Sequence, residues 1–407
     1  MTAPDTRCDV LVVGSGGAGM SAAVAAREQG ASVIIITKAA LGASNTGRAQ
    51  GGIQAALGPE DSTEAHFEDT LAAGHDDGDP VLVRTLVEGG PGAIEWLASI
   101  GVPFTRDGDE LRVIRCGGAR RPRLLQAGER TGAEMVRALR AAVRTSGARV
   151  RESTALMSLV PVAGGWRATT LAKDGSHSEV MATTVLLAAG GGMGGEAARI
   201  GVKSTNHSDA TPEVLEMALA LGATGRDLDS WQRHPTGAIW PPGLGGYALP
   251  ETTRSYGATL HAASGEQFVD ELAPRDVVAD AIIRTVEEGR GAPAPDGTMG
   301  VWLDTTAIDR VNGAGFTADR LAYVHNRYLT QGVDITKERV LVHPVLHYRN
   351  GGLVIDEHGH TTLDGLYAAG EITGGVHGTN RLMGNSLLDT VVFGRIAGAA
   401  AAREALS

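Results

Sequence analysis

Gly14-x-Gly16-x-x-Gly19 is the first spacing along the chain that could do chemistry, because glycines set this way let backbone close around a phosphate. Gly14 permits a tight turn, Gly16 lets the main chain approach a pyrophosphate, and Gly19 permits close helix–strand packing. Ser15, Gly17 and Ala18 complete the turn, and a following helix N-terminus would add N–H donors and a positive dipole end. Dinucleotide binding is the reading this context favours. A second concentration of reactive side chains runs from Trp231 to His347. There His234, Glu251, Arg254, Glu271 and Arg275 fall among short, proline-rich segments, and His377 and Arg381 come later. An arginine in such a set can grip a carboxylate with its bidentate fork, which lysine cannot reproduce.

The elements that must position these groups follow from the pattern. Val10–Val13 is a short β-branched run of the kind buried in a parallel sheet. Met20–Gln29 reads as an Ala-rich helix closed by Gly30, and Ser32–Thr37 as a second strand, which together make a βαβ unit. The second strand ends Thr37-Lys38 where a ribose-binding acid often stands, which weighs against NAD. Helices are expected over Pro91–Ile100 and Gly132–Thr145. Strands are expected over Arg149–Leu159, Gly165–Leu171 and Thr184–Ala189, the last ending at Gly190. Buried-strand character returns at Gly352–Asp356 and Gly365–Ala369, and a long Ala-rich helix runs from about Leu387 to Leu406. The expected fold is α/β: a Rossmann-like domain in two parts, 1–231 and 348–407, with an α+β capping domain, 232–347, inserted between them.

Composition narrows the class. Lys plus Arg is 36 against 47 Asp plus Glu, a net charge of −11, which argues against nucleic acid or an anionic membrane as partner. The 57 glycines gather in short motifs between apolar segments, so the chain is not of low complexity. Two cysteines, Cys8 and Cys116, exclude a disulfide framework, a Cys-rich zinc site and iron–sulfur ligation, and no metal site is expected. No apolar run approaches the ~20 residues that span a bilayer. The first residues lack a basic, cleavable leader pattern, so a cytoplasmic protein is expected.

Several further segments occur in a fixed order: Thr37-Lys38, Ser44-Asn45-Thr46, Ala49-Gln50-Gly51-Gly52-Ile53, Leu187-Ala-Ala-Gly190, Gly370-Glu371 and Asn385-Ser386-Leu387-Leu388. Together they resemble the flavoprotein family of succinate dehydrogenase, fumarate reductase and L-aspartate oxidase, from about residue 7 to residue 403. The resemblance implies FAD, with Glu371 at the ribityl or ribose region and Ser386-Leu387 at the flavin pyrimidine end. A positive helix end there favours the anionic reduced flavin. It implies a small dicarboxylate substrate held by His234, His347 and Arg381. It further implies a proton shuttle by Arg275, resupplied through Glu251 and Arg254, whose spacing would place them on one helical face. Hydride would pass between flavin N5 and the substrate carbon. The expected activity is therefore succinate/fumarate-like, with an L-aspartate oxidase as the alternative; the electron partner is unknown from sequence.

The chain also departs from the family. Where covalently flavinylated members read Ser-His-Thr, this chain reads Ser44-Asn45-Thr46, so its FAD is expected to be non-covalent. Thr211-Pro212-Glu213-Val214 replaces Thr-Gly-Asp-Gly, with Glu213 keeping the carboxylate. Cys116 stands where aspartate oxidases carry a glutamate facing the substrate amine, and Pro250 replaces a threonine before the relay glutamate. Arg349-Asn350 brings a cation and an amide to positions that are usually small or sulfur-bearing. The Gly370–Arg381 segment looks more like soluble fumarate reductases, and the family's C-terminal helical domain is expected to be absent.

Overall fold

The computed structural model describes residues 6–407. The strand Arg7–Val13 lies between Val33–Ile36 and His177–Leu187, parallel to both, with Arg149–Arg151 beyond the second strand. Val10–Val13 is buried throughout, as a parallel strand covered on both faces must be. The helix Gly17–Glu28 is buried continuously from Gly17 to Ala26, which its run of small residues allows. It packs against the long helix Asn385–Leu406, so the two ends of the chain form one layered body. The strand Leu366–Ala368 joins the same sheet beside Val185–Leu187, which places Gly370 and Glu371 at the end where the glycine turn opens.

The segment expected as one strand over Arg149–Leu159 is two. Arg149–Arg151 pairs with Val33–Ile36, whereas Thr154–Val162 pairs antiparallel with Gly165–Ala172 at the other end of the strand order. Ser153 breaks the run with a φ of 51°, and Thr37 takes contacts from both pieces, donating to the Arg151 carbonyl and accepting the Thr154 N–H. The strand expected over Thr184–Ala189 begins earlier, at His177, and ends at Leu187.

A second, antiparallel sheet carries Trp231–Ala238, Val340–Arg349, Met299–Asp304 and Thr259–His261 in that order. The helix Arg275–Glu287 lies against it, and Leu260, Val278, Ile282, Val301, Leu303 and Val342 form its own buried core. The first two strands slip register at Gln232/Arg233 and again between His234 and Gly237, where Pro235 has no N–H to give the ladder. Among the described residues no helix is long and apolar enough to cross a membrane.

Candidate active site

One cavity of about 900 Å³ runs from the glycine turn to the second sheet. At Gly14, with φ +106°, an added Cβ would lie 2.3 Å from the Ala188 carbonyl oxygen, and at Gly19 it would lie 2.1 Å from the Gly14 oxygen. Both positions are closed to any side chain by the protein itself. Gly16 differs, since a Cβ there meets nothing nearer than Thr46 Oγ1 at 3.6 Å. The protein itself leaves room for a side chain there, on the wall of the cavity. Ser15 Oγ donates to Thr37 Oγ1 at 2.8 Å, and the Gly17 N–H donates to Thr46 Oγ1 at 3.0 Å, which ties the turn to the next two segments.

Gly14, Ser15, Gly16, Gly17, Ala18, Thr37, Lys38, Ser44, Asn45, Thr46, Gly51, Gly52, Gly190, Glu213, Glu371, Ser386 and Leu387 all line this cavity. Gly19 does not; it lies beneath the turn. Lys38 pairs with Glu213 at 3.5 Å and also donates to Thr211. Burial pushes the Glu371 carboxyl up to about 7, and the Arg349 N–H at 3.2 Å works against that rise. Among the described residues no side chain caps the helix Asn385–Leu406, so its first-turn N–H groups by Ser386 and Leu387 are open to an anionic acceptor. A long cavity with a glycine cradle at one place and an uncapped helix N-terminus at another fits an extended dinucleotide such as FAD.

His234, His347, Glu251 and Arg381 line the same cavity, and Arg275 and Arg254 lie behind Glu251. Glu251 Oε2 accepts from Arg275 Nε at 2.8 Å and lies 3.5 Å from Arg254, and Oε1 accepts the Gly117 N–H at 2.8 Å. The Glu251–Arg254 pair is met in a different way from the expected helical face. Glu251 only precedes a four-residue helix, Thr252–Ser255, yet the three-residue separation still brings the pair together. Gln232 Oε1 then accepts from Arg275 at 3.2 Å and from Arg381 at 3.1 Å. Arg254, Glu251, Arg275, Gln232 and Arg381 thus form one continuous buried chain, with Glu271 near Arg254 and Glu371 near Arg381.

The surroundings of both histidines favour the uncharged ring. Burial pushes both imidazoles well below their ordinary value, and the nearby Arg275 charge pushes the same way. Their rings meet edge to face with centroids 5.2 Å apart. Arg381 lies over the Tyr348 ring, 4.2 Å from its centroid, with burial and the Arg275 charge lowering its guanidinium to about 10.

Three residues at which the chain departs from the family lie off the cavity wall. Arg349 turns its guanidinium to the carbonyls of Gly191 and Leu228, and Asn350 donates to Ser230 Oγ and the Thr379 carbonyl. Both act as braces, their polar groups spent on main-chain carbonyls and Ser230, and neither lines the cavity. Cys116 packs among Ala119, Leu124 and Met383, accepts from Gln54 at 3.3 Å, and is absent from the cavity wall. Gln232 escaped sequence reasoning; its place two residues before His234 on one strand was the available signal.

The comparisons with known proteins agree with this geometry. A family model described as FAD binding domain matches residues 9–387. A fumarate reductase (CoM/CoB) subunit from Methanothermobacter marburgensis is 38% identical, over 98% of this chain and 73% of the relative. An L-aspartate oxidase from Streptomyces coelicolor is also 38% identical, over 95% of this chain and 67% of its own. Among solved structures, a variant of E. coli quinol fumarate reductase superposes with a TM-score of 0.91 at 30% identity, over 98% of this chain and 71% of that one. The chain is a flavoprotein of the Rossmann-like, FAD-binding class. It belongs to the fumarate reductase, succinate dehydrogenase and L-aspartate oxidase family, and it is an FAD-dependent oxidoreductase.

Proposed function

We propose that this chain interconverts a C4-type dicarboxylate and its unsaturated form, a succinate/fumarate-like couple. The observation that carries the reading is the buried chain from Arg254 to Arg381, in which three guanidiniums share Glu251 beside two imidazoles lowered by burial, with Arg381 and both imidazoles on the cavity wall. Buried guanidiniums and N–H donors converging on one cavity favour an anionic carboxylate ligand. In this reading Arg381 grips one carboxylate, and His234 and His347 donate to the other. Arg275 holds the proton that reaches the substrate carbon, and Glu251 with Arg254 resupplies it. When bound, FAD supplies the hydride exchange with that substrate. The residues of the glycine turn, Thr37, Lys38, Ser44, Thr46, Gly51, Gly52, Gly190, Glu213, Glu371, Ser386 and Leu387 hold it without a covalent bond, because Asn45 cannot make the histidyl link.

We assign 1–231 and 348–407 to the flavin-binding unit and 232–347 to the cap, a division supported by their separate buried cores. Two buried, unpaired thiols support a place in the reducing cytoplasm.

Anaerobic reoxidation of the reduced protein tests the reading. Fumarate or mesaconate is expected to restore the oxidised flavin spectrum. A second reading, oxidation of L-aspartate, draws on the relatives of that name. Reoxidation by iminoaspartate alone would favour it and overturn the first.

A further inference from the structure

The short helix Asn45–Arg48 reaches both the glycine turn and the substrate end of the cavity. Its Thr46 hydroxyl accepts the Gly17 N–H on the turn, as described above. Its Asn45 and Arg48, three residues apart, hold the loop 204–207. Asn45 Oδ1 accepts the His207 N–H at 2.8 Å, Asn45 Nδ2 donates to Asn206 Oδ1, and Arg48 donates to the Asn206 carbonyl at 2.9 Å. Both ends of the Asn45 amide therefore meet this loop, and the side chain also reaches Glu371.

The loop in turn holds His347. Asn206 Nδ2 donates to the His347 carbonyl at 2.8 Å, and the Thr205 N–H donates to the Leu346 carbonyl at 3.1 Å. Thr205 Oγ1 lies 2.6 Å from His347 Nδ1. A neutral imidazole carries one ring proton, and the partner of one nitrogen decides whether the other is a donor or an acceptor. With the proton on Nδ1, His347 would turn a lone pair toward the cavity and repel a carboxylate.

We propose that Thr205, set by the Asn45–Asn206 clamp, is a positioning residue that makes His347 a carboxylate donor: its hydroxyl donates to Nδ1, so the ring proton sits on Nε2 and faces the cavity. This rests on the dicarboxylate reading above. His234 is set in the same sense by the main chain, since the Thr236 N–H lies 3.3 Å from its Nδ1. The cavity then presents two uncharged N–H donors beside Arg381. The position that holds the flavin-linking histidine in other members serves here to brace the substrate histidine.

The test uses the FAD-loaded protein, titrated anaerobically with fumarate and followed by the change in flavin absorbance. Thr205→Val removes the hydroxyl at nearly constant volume. It is expected to raise the fumarate Kd and KM about ten-fold, the scale of one unsatisfied buried partner, with kcat changing much less. Thr205→Ser is expected to restore affinity to near the parent value, which a purely structural role for the methyl group would not allow. Asn45→Ala and Asn206→Ala are each expected to raise KM, and the double variant to be no worse than the poorer single one, because the two act as a unit. Fumarate binding by Thr205→Val equal to that of the parent overturns the assignment, as does failure of Thr205→Ser to recover. If Thr205→Val loses FAD, Thr205→Ala against Thr205→Ser gives the same comparison. A parent protein whose flavin responds to no dicarboxylate overturns the underlying reading, and the assignment with it.

Discussion

A guanidinium can serve as an acid only if something replaces its proton, and Glu251 touches Arg275 and Arg254 with the same oxygen. Arg275→Gln is therefore expected to lower turnover by roughly 10²–10⁴-fold, the usual weight of a lost general acid. Its FAD content and its reduction by a small artificial donor should stay near those of the parent. Glu251→Gln should slow the same proton-dependent step while fumarate binding survives. Substantial turnover in Arg275→Gln would remove the proton-shuttle role. Arg381 tests the other half of the site. It rests on the face of Tyr348, which orients the guanidinium without neutralising it. Arg381→Lys loses the planar fork, so dicarboxylate affinity should fall about ten-fold or more at unchanged FAD content. Equal affinity in titration would show that Arg381 does not face the ligand. At this scale the sequence spoke clearly where a residue sits in an ordered motif, as Glu251, Arg275 and Arg381 do. It was silent on Gln232 and on the bracing role of Arg349, because the side-chain direction along a strand with slipped register is set by its partner.

Elements were legible where local chemistry decides them. The glycine turn, the Ala-rich helix after it and the long last helix need only their own residues, and they stand within a few positions of expectation. The second sheet was not legible. Pro235 and Pro344 sit inside two of its paired strands, and proline argues against a strand interior until tertiary pairing supplies a bulge. The split of Arg149–Leu159 was hidden for another reason, since both pieces are β-rich and the positive φ at Ser153 separates them. The glycine turn also yields a sharp contrast between two alanine variants. Gly19→Ala places a methyl group against the Gly14 carbonyl, so it should destabilise the fold and lower the yield of soluble protein. Gly16→Ala meets only ordinary contacts within the protein, so its thermal midpoint without cofactor should match the parent while its FAD affinity falls. Full FAD occupancy in Gly16→Ala would show that no cofactor group approaches that residue. Acid or denaturant should release FAD from the parent protein, and colour left on the unfolded chain would refute non-covalent binding.

Over the whole molecule, burial of neutral histidines sets how stability responds to acid. His66, His234, His347 and His377 all have imidazoles lowered first by burial, His66 to about 4 from an ordinary 6.5. The folded chain thus binds fewer protons than the unfolded chain as the pH drops below 6.5, and linkage requires stability to fall with it. Glu371 acts in the opposite sense. Its carboxyl is raised to about 7 from 4.5, so its contribution is complete below 4.5 and is lost as the pH rises through 7. Paired carboxylates such as Glu251 and Asp304, lowered from 4.5 and 3.8, lose their stabilisation only at the acid end of the range. Five lowered histidines, His343 with the four above, against two raised glutamates, Glu371 and Glu129, predict that the thermal midpoint of FAD-free protein falls between pH 6.5 and 4.5, ahead of carboxylate protonation. His66 gives the cleanest check, since it lies outside the cavity wall and its Nε2 meets Asn385 Oδ1 at 2.9 Å. His66→Gln should flatten the slope of midpoint against pH, and Glu371→Gln should steepen it by removing the opposing group. A parent profile level across that window, or a His66→Gln slope equal to the parent's, would mean that these imidazoles take up protons in the folded state as readily as in the unfolded one.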